Sequence, residues 1–197
     1  MRKRSLGFIL FFIAAIFCFS ACGTDATTES TATEDTSASS ESFYTISKNE
    51  NLTYSYEIVD KNGNVLFAKN NAPKEPHIDE VSENMIGVTV QTGTGLSTNW
   101  AVFCDVEKGT VSETFHYVLG ARDEYVFYAD FEDGVLSLVV QNIFNSSNRT
   151  VHPLQDCGAF ADPIRNLTFD GEGKATITYL TGTAEAVTET SATIDYP

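Results

Sequence analysis

Alternation of apolar and polar side chains dominates the chain from residue 54 onward. Segments rich in Val, Ile, Thr, Tyr and Phe with a period of two suit a pleated strand with one face buried. No stretch of twelve residues has the 3.6-residue period of an amphipathic helix. The pattern therefore predicts an all-β fold, with strands over 54–59, 86–91, 100–105, 125–130, 135–140 and 175–179.

Short segments that begin with Asp and end with Gly separate several of these apolar runs. Asp accepts hydrogen bonds from backbone amides within a turn, and Gly adopts the positive φ that tight hairpin turns require. Because consecutive strands usually pair, these turns favour an antiparallel meander. We predict four hairpins, with turns over 60–63, 105–109, 130–134 and 170–173.

Residues 43–197 form the predicted globular domain, which is long enough to hold a real hydrophobic core. The first choice for its architecture is a sandwich or strongly twisted meander of about nine to eleven strands. A propeller-blade-like β-meander is the alternative, because the repeated pattern of strand, Asp-to-Gly turn and strand resembles propeller blades. The length argues against a closed propeller, since four blades of about forty residues would use the whole domain. The interval 145–166 is predicted to be the longest strandless region, and long loops are often functional.

The N-terminus has the pattern of an export signal. Three basic residues in the first four positions precede an apolar run over 6–19, which ends in small residues. The segment Phe19-Ser20-Ala21-Cys22 resembles the lipobox of bacterial lipoproteins, with Phe19 where that motif usually has Leu. The resemblance covers these four residues alone. It implies that residues 1–21 are a cleaved signal peptide and that Cys22, acylated with fatty chains such as palmitate, is the mature N-terminus.

Residues 22–42 form the predicted tether between the lipid and the domain. They are almost all small or polar and cannot bury enough apolar surface to offset the entropy of ordering, so we expect a disordered spacer. The basic cluster stays in the cytoplasm, and two acyl chains give stable attachment. The sequence thus predicts an anchored lipoprotein on the outer face of the cytoplasmic membrane. The alternative is an uncleaved anchor over 5–21, at the short limit for a spanning helix.

The charge balance excludes one class of partner. The formal net charge is −15 at pH 7. Removal of residues 1–21 takes away three cations and no acid, which leaves −18. Nucleic-acid binding needs clustered cations, so no nucleic-acid partner is expected. The predicted partners are the membrane, through the lipid anchor, and an envelope protein or glycan, which exposed tyrosines would suit.

The domain contains two cysteines, Cys104 in a predicted strand and Cys157 in the predicted long loop. Two cysteines in an exported domain favour a disulfide, which would close a long loop. Two unbridged thiols are an equally weighted alternative. A Cys-x-x-Cys motif is absent from the sequence.

The three histidines, His77, His116 and His152, lack the mutual spacing of a zinc site. The sequence also lacks a nucleophile elbow, a phosphate-binding loop and a Ser-x-x-Lys motif. We therefore predict no metal ligands, no cofactor and no catalytic residues.

The sequence favours a non-enzymatic binding or accessory role. One alternative is an enzyme or metal-dependent module that uses the 145–166 loop, because His152, Asp156 and Cys157 are residue types of a cysteine-nucleophile site. Convergence of these three with His116 in one cleft would favour that alternative. The other is a structural component of the cell envelope.

Overall fold

The computed structural model describes residues 42–95, 98–132, 134–157, 160 and 162–197. These residues form fifteen strands in four antiparallel sheets. The predicted all-β antiparallel meander is confirmed, although the strands outnumber the nine to eleven expected. The signal peptide and nearly all of the tether, residues 1–41, lie outside the described residues. Within the described residues, no helix has the length and apolar character needed to cross a bilayer.

The four sheets follow one another along the chain, and each is built from strands close in sequence. Sheet A contains β1 (Tyr44–Lys48), β2 (Tyr54–Val59) and β3 (Val65–Ala72). Sheet B contains β4 (His77–Ser82), β5 (Met85–Gln91), β6 (Asn99–Asp105) and the two short strands β7 (Thr110–Val111) and β8 (Phe115–His116). Sheet C contains β9 (Val118–Arg122), β10 (Tyr125–Glu132), β11 (Val135–Asn142) and β12 (Asn145–Pro153). Sheet D contains β13 (Ile164–Phe169), β14 (Lys174–Thr183) and β15 (Ala186–Asp195).

All six predicted strands are confirmed, as β2, β5, β6, β10, β11 and β14. All four predicted hairpins are confirmed as well, because each predicted turn connects two strands that pair antiparallel. The prediction of a strandless interval over 145–166 was wrong. Strand β12 occupies 145–153 and β13 begins at Ile164. Strand β12 lies at the edge of sheet C and exposes most of its side chains, so its sequence carries little of the alternation that marks a half-buried strand.

Each sheet packs face to face on the next one along the chain. Three clusters of buried side chains fill the A/B, B/C and C/D interfaces. Fully buried side chains of each interface include Ile58, Val88 and Val106 for A/B, Val126 and Ile143 for B/C, and Phe127, Leu138 and Ile177 for C/D. Sheets B and C therefore bury both faces, whereas sheets A and D bury one.

The outer faces of the two terminal sheets are polar. On sheet D, hydroxyl groups bond across the strands, with 2.9 Å between the Oγ1 atoms of Thr176 and Thr193 and 3.0 Å between Thr178 Oγ1 and Ser191 Oγ. On sheet A, Ser55 and Glu57 point away from the A/B core. None of the three buried clusters of the described residues joins sheet A to sheet D. The four meanders thus form an open stack and not a closed ring of blades.

The hairpin aspartates make the contacts that the sequence pattern predicts. In the β2–β3 turn, Asp60 Oδ1 accepts hydrogen bonds of 2.8 Å from the backbone amides of Asn62 and Asn64. In the β13–β14 turn, Asp170 Oδ1 accepts backbone hydrogen bonds of 2.8 and 2.9 Å. Hydrogen bonds from the side chain and backbone of Asn64 hold the pKa of Asp60 below its usual value.

This lowered pKa makes the hairpin sensitive to acid. Because the folded-state pKa of Asp60 lies below its unfolded value, its ionised form stabilises the domain above about pH 4, and that stability is lost as the pH falls through the folded pKa. Asp60→Asn should lower the melting temperature at neutral pH, and the difference from the wild-type melting temperature should narrow as the pH falls below about 4. Asp123→Asn, in the β9–β10 turn, is the control. If the melting temperatures of Asp60→Asn and the wild type differ by the same amount at every pH, ionised Asp60 does not stabilise the hairpin in the way described.

Candidate functional site

A cavity of about 360 Å³ lies at one end of the A/B interface. Two cross-strand pairs face each other across it. Tyr56 and Lys69 are partners on β2 and β3 of sheet A, and Val90 and Trp100 are partners on β5 and β6 of sheet B. The lining is completed by Ala72, Pro73, Lys74, Gln91 and Thr92. The apolar core of the interface thus continues into a cavity with aromatic walls, of the size and character that bind small molecules. We call it the AB cavity.

The AB cavity is lined by cations and by no carboxylate. Lys69 and Lys74 are exposed, and neither forms an ion pair within the described residues. The chain as a whole has 27 acidic residues against 12 Lys and Arg. The charge of the cavity lining is therefore opposite in sign to the net charge of the protein. The local field at the cavity mouth favours an anion, although the net charge of the protein repels one.

Tyr56 combines burial with an unused polar group. Its side chain is 3% exposed, and its ring packs against Phe67 at a centroid distance of 6.2 Å. Its hydroxyl has no hydrogen-bond partner among the described residues. Burial raises the pKa of this phenol, so the group stays protonated and remains a donor. A buried hydroxyl without a partner is destabilising, which indicates a role other than stability.

Three other cavities of the described residues differ because acidic side chains are among their lining residues. The cavity between sheets B and C includes Asp79 and Glu80. The cavity beside β10 and β12 includes Glu113 and Asp130. The cavity beside Cys157 includes an aspartate as well.

The cavity beside β10 and β12 also has its polar groups bonded to one another. Gln141 Nε2 donates to Glu113 Oε1 at 2.8 Å. Tyr128 donates its hydroxyl proton to Gln141 Oε1 at 2.9 Å, and Arg149 Nε donates to the Tyr128 oxygen at 3.2 Å. These groups satisfy each other and thereby join the β7–β8 connection to β10, β11 and β12. The hydrogen-bond network of this cavity is therefore explained by the way it holds these elements together.

The disulfide allowed by the sequence is not formed. Cys104 is fully buried and faces sheet A, where desolvation raises the pKa of its thiol to about 11. Cys157 forms a β-bridge with Thr181 and packs against the C/D core, and burial raises the pKa of its thiol too. The two thiols belong to the A/B and C/D interfaces, which sheets B and C separate, and they are not joined to each other. The lipidation candidate Cys22 lies outside the described residues.

The four residues proposed to converge in a catalytic cleft do not share a cavity. His116 lines the cavity beside β10 and β12, whereas Asp156 and Cys157 line the one at the C/D end of the stack. His152 lies on the edge strand β12 and lines neither. Within the described residues, no three His, Cys, Asp or Glu side chains are arranged to hold a metal ion.

No family model, curated protein or solved structure matches the chain.

The sequence pattern identified the strands of the AB cavity but not the cavity itself. Tyr56, Val90 and Trp100 stood out as apolar positions of three predicted strands. Alternation places each on one face of its strand, but it does not say which face of which sheet lies opposite. A detectable signal was the pair of lysines at 69 and 74 around Pro73 in an otherwise acidic chain.

Trp100 is the only tryptophan in the chain, so its fluorescence reports directly on the AB cavity. We expect iodide to quench Trp100 more efficiently than caesium does, after both are scaled to free N-acetyltryptophanamide, because Lys69 and Lys74 attract the anion. Replacing both lysines by Gln should lower the iodide quenching constant about twofold at low salt. Lys174→Gln on sheet D is the matched control. Stronger quenching by caesium, as the net charge alone would give, refutes a cationic cavity.

Proposed function

We propose that this protein is a lipid-anchored extracytoplasmic lipoprotein whose β-domain binds a small ligand in the AB cavity. The single observation that carries the binding role is the cavity itself. It combines two aromatic side chains with a buried hydroxyl that lacks a hydrogen-bond partner, and with two lysines that form no ion pair, within the part of the chain that the structure describes. Apolar walls with a few convergent polar groups are typical of ligand sites. The role is a binding or accessory one at the outer face of the cytoplasmic membrane.

The sequence supports the anchoring half of the proposal. The basic N-terminus, the apolar run and the lipobox-like segment before Cys22 are the features of an exported, acylated protein. A spacer of some twenty small and polar residues would reach roughly 20–30 Å from the bilayer. The domain would thus be held at the membrane with the AB cavity available to molecules outside the cell.

Acylation tests the anchoring. Cys22→Ala should abolish incorporation of labelled palmitate, because the sulfur that accepts the acyl chain is gone, and the protein should remain unprocessed or be released. Cys18→Ala, four positions earlier in the same apolar run, is the matched control and should keep the label. The measurement is autoradiography of membrane and soluble fractions from cells that express each variant. Undiminished labelling of Cys22→Ala rules out the anchor.

A further inference from the structure

We propose that the ligand of the AB cavity is a small organic acid with a flat, apolar body and a carboxylate head group. This inference rests on the proposed function and narrows it to one class of ligand. It follows from the separate roles of the cavity's two kinds of lining, the aromatic and apolar walls and the cationic mouth.

The walls select the body of the ligand. Trp100 and Tyr56 line the cavity with aromatic side chains from opposite sheets, and Val90, Ala72 and Pro73 add aliphatic surface. Aromatic side chains contribute most to the free energy of binding when they stack on a flat apolar ring or meet it edge to face. The volume of about 360 Å³ is near the lower end of the range for ligand cavities, which favours a molecule of one or two fused rings over a polymer chain.

The polar groups select the head group. Lys69 and Lys74 are ammonium donors, and Tyr56, which also lines the cavity, keeps a protonated hydroxyl that has no hydrogen-bond partner among the described residues. No carboxylate lines the cavity to neutralise the lysines or repel an anion. A carboxylate accepts hydrogen bonds at both oxygens and gains a charge-assisted bond from each ammonium group, so it matches this set of donors.

A pair of nearly isosteric compounds separates the contributions of body and charge. In 2-naphthoate and 2-naphthamide the ring system is the same, and only the first carries a charge. The probe is the indole N–H signal of Trp100, which is the only one in the chain, observed in two-dimensional NMR titrations of the acylated protein in detergent. We expect both compounds to shift this signal, with naphthoate binding about tenfold more tightly.

Variants assign the preference to the lysines. Replacing Lys69 and Lys74 by Gln together should remove the tenfold preference and leave the affinity for naphthamide within about twofold. Lys174→Gln on sheet D is the matched control and should retain the preference.

The hydroxyl of Tyr56 has a signature that a purely structural group lacks. Tyr56→Phe keeps the ring and removes a buried donor without a partner, so the melting temperature of the free protein should rise by about 3 °C. The same variant should bind both compounds about threefold more weakly, since each offers an oxygen to the hydroxyl. If Tyr56→Phe has a lower melting temperature and binds both compounds with unchanged affinity, the hydroxyl of Tyr56 takes no part in binding.

The outcomes distinguish the two levels of the proposal. Preference for naphthoate that depends on the two lysines supports the acid. Equal binding of both compounds overturns the acid and leaves the AB cavity as the binding site. If neither compound shifts the Trp100 signal at about millimolar concentration, both the ligand class and the cavity as a binding site are refuted.

Discussion

The packing of consecutive sheets on each other determines the rest of this structure. A sheet between two others must be apolar on both faces, and a sheet at the end on only one. The central strands obey this constraint. In β6 of sheet B six of seven residues are buried, and in β11 of sheet C six of eight are. Strands β2 and β14, central in the terminal sheets, instead alternate buried and partly exposed side chains. The sequence thereby orders the four meanders in space as they are ordered along the chain.

The same constraint explains where the AB cavity lies. Sheet A is terminal and packs through one face, so its contact with sheet B has no second layer behind it. The apolar row that fills the interface ends at Val90 and Trp100, opposite Tyr56 and Lys69, where a charged side chain replaces a core residue. The interface remains open at that end. Binding sites commonly occupy such less constrained parts of a fold, because the surrounding structure supplies the stability.

Much of the fold could be predicted from local sequence patterns, because strand alternation and turn hydrogen bonds involve residues close together in the chain. Alternation identified the central strands, and the Asp and Gly residues identified hairpins, since Asp60 and Asp170 bond to amides within four residues. Edge strands such as β12 escaped prediction, because an exposed strand needs no apolar face. The AB cavity and the separation of Cys104 from Cys157 depend on which sheets face each other. That information is spread over the whole chain.

Native-state hydrogen exchange tests the stacking order most directly, since it compares the central strands of the four sheets within one molecule. The amides to compare are those of β2, β6, β11 and β14 whose residues are paired with a neighbouring strand on both sides, so that differences in protection report on the packed faces and not on missing hydrogen bonds. In β6 these residues are Trp100, Ala101, Cys104 and Asp105. An open stack predicts the slowest exchange in β6 and β11, and measurably faster exchange in β2 and β14. Equal protection of all four strands, as in a closed ring, would contradict this account.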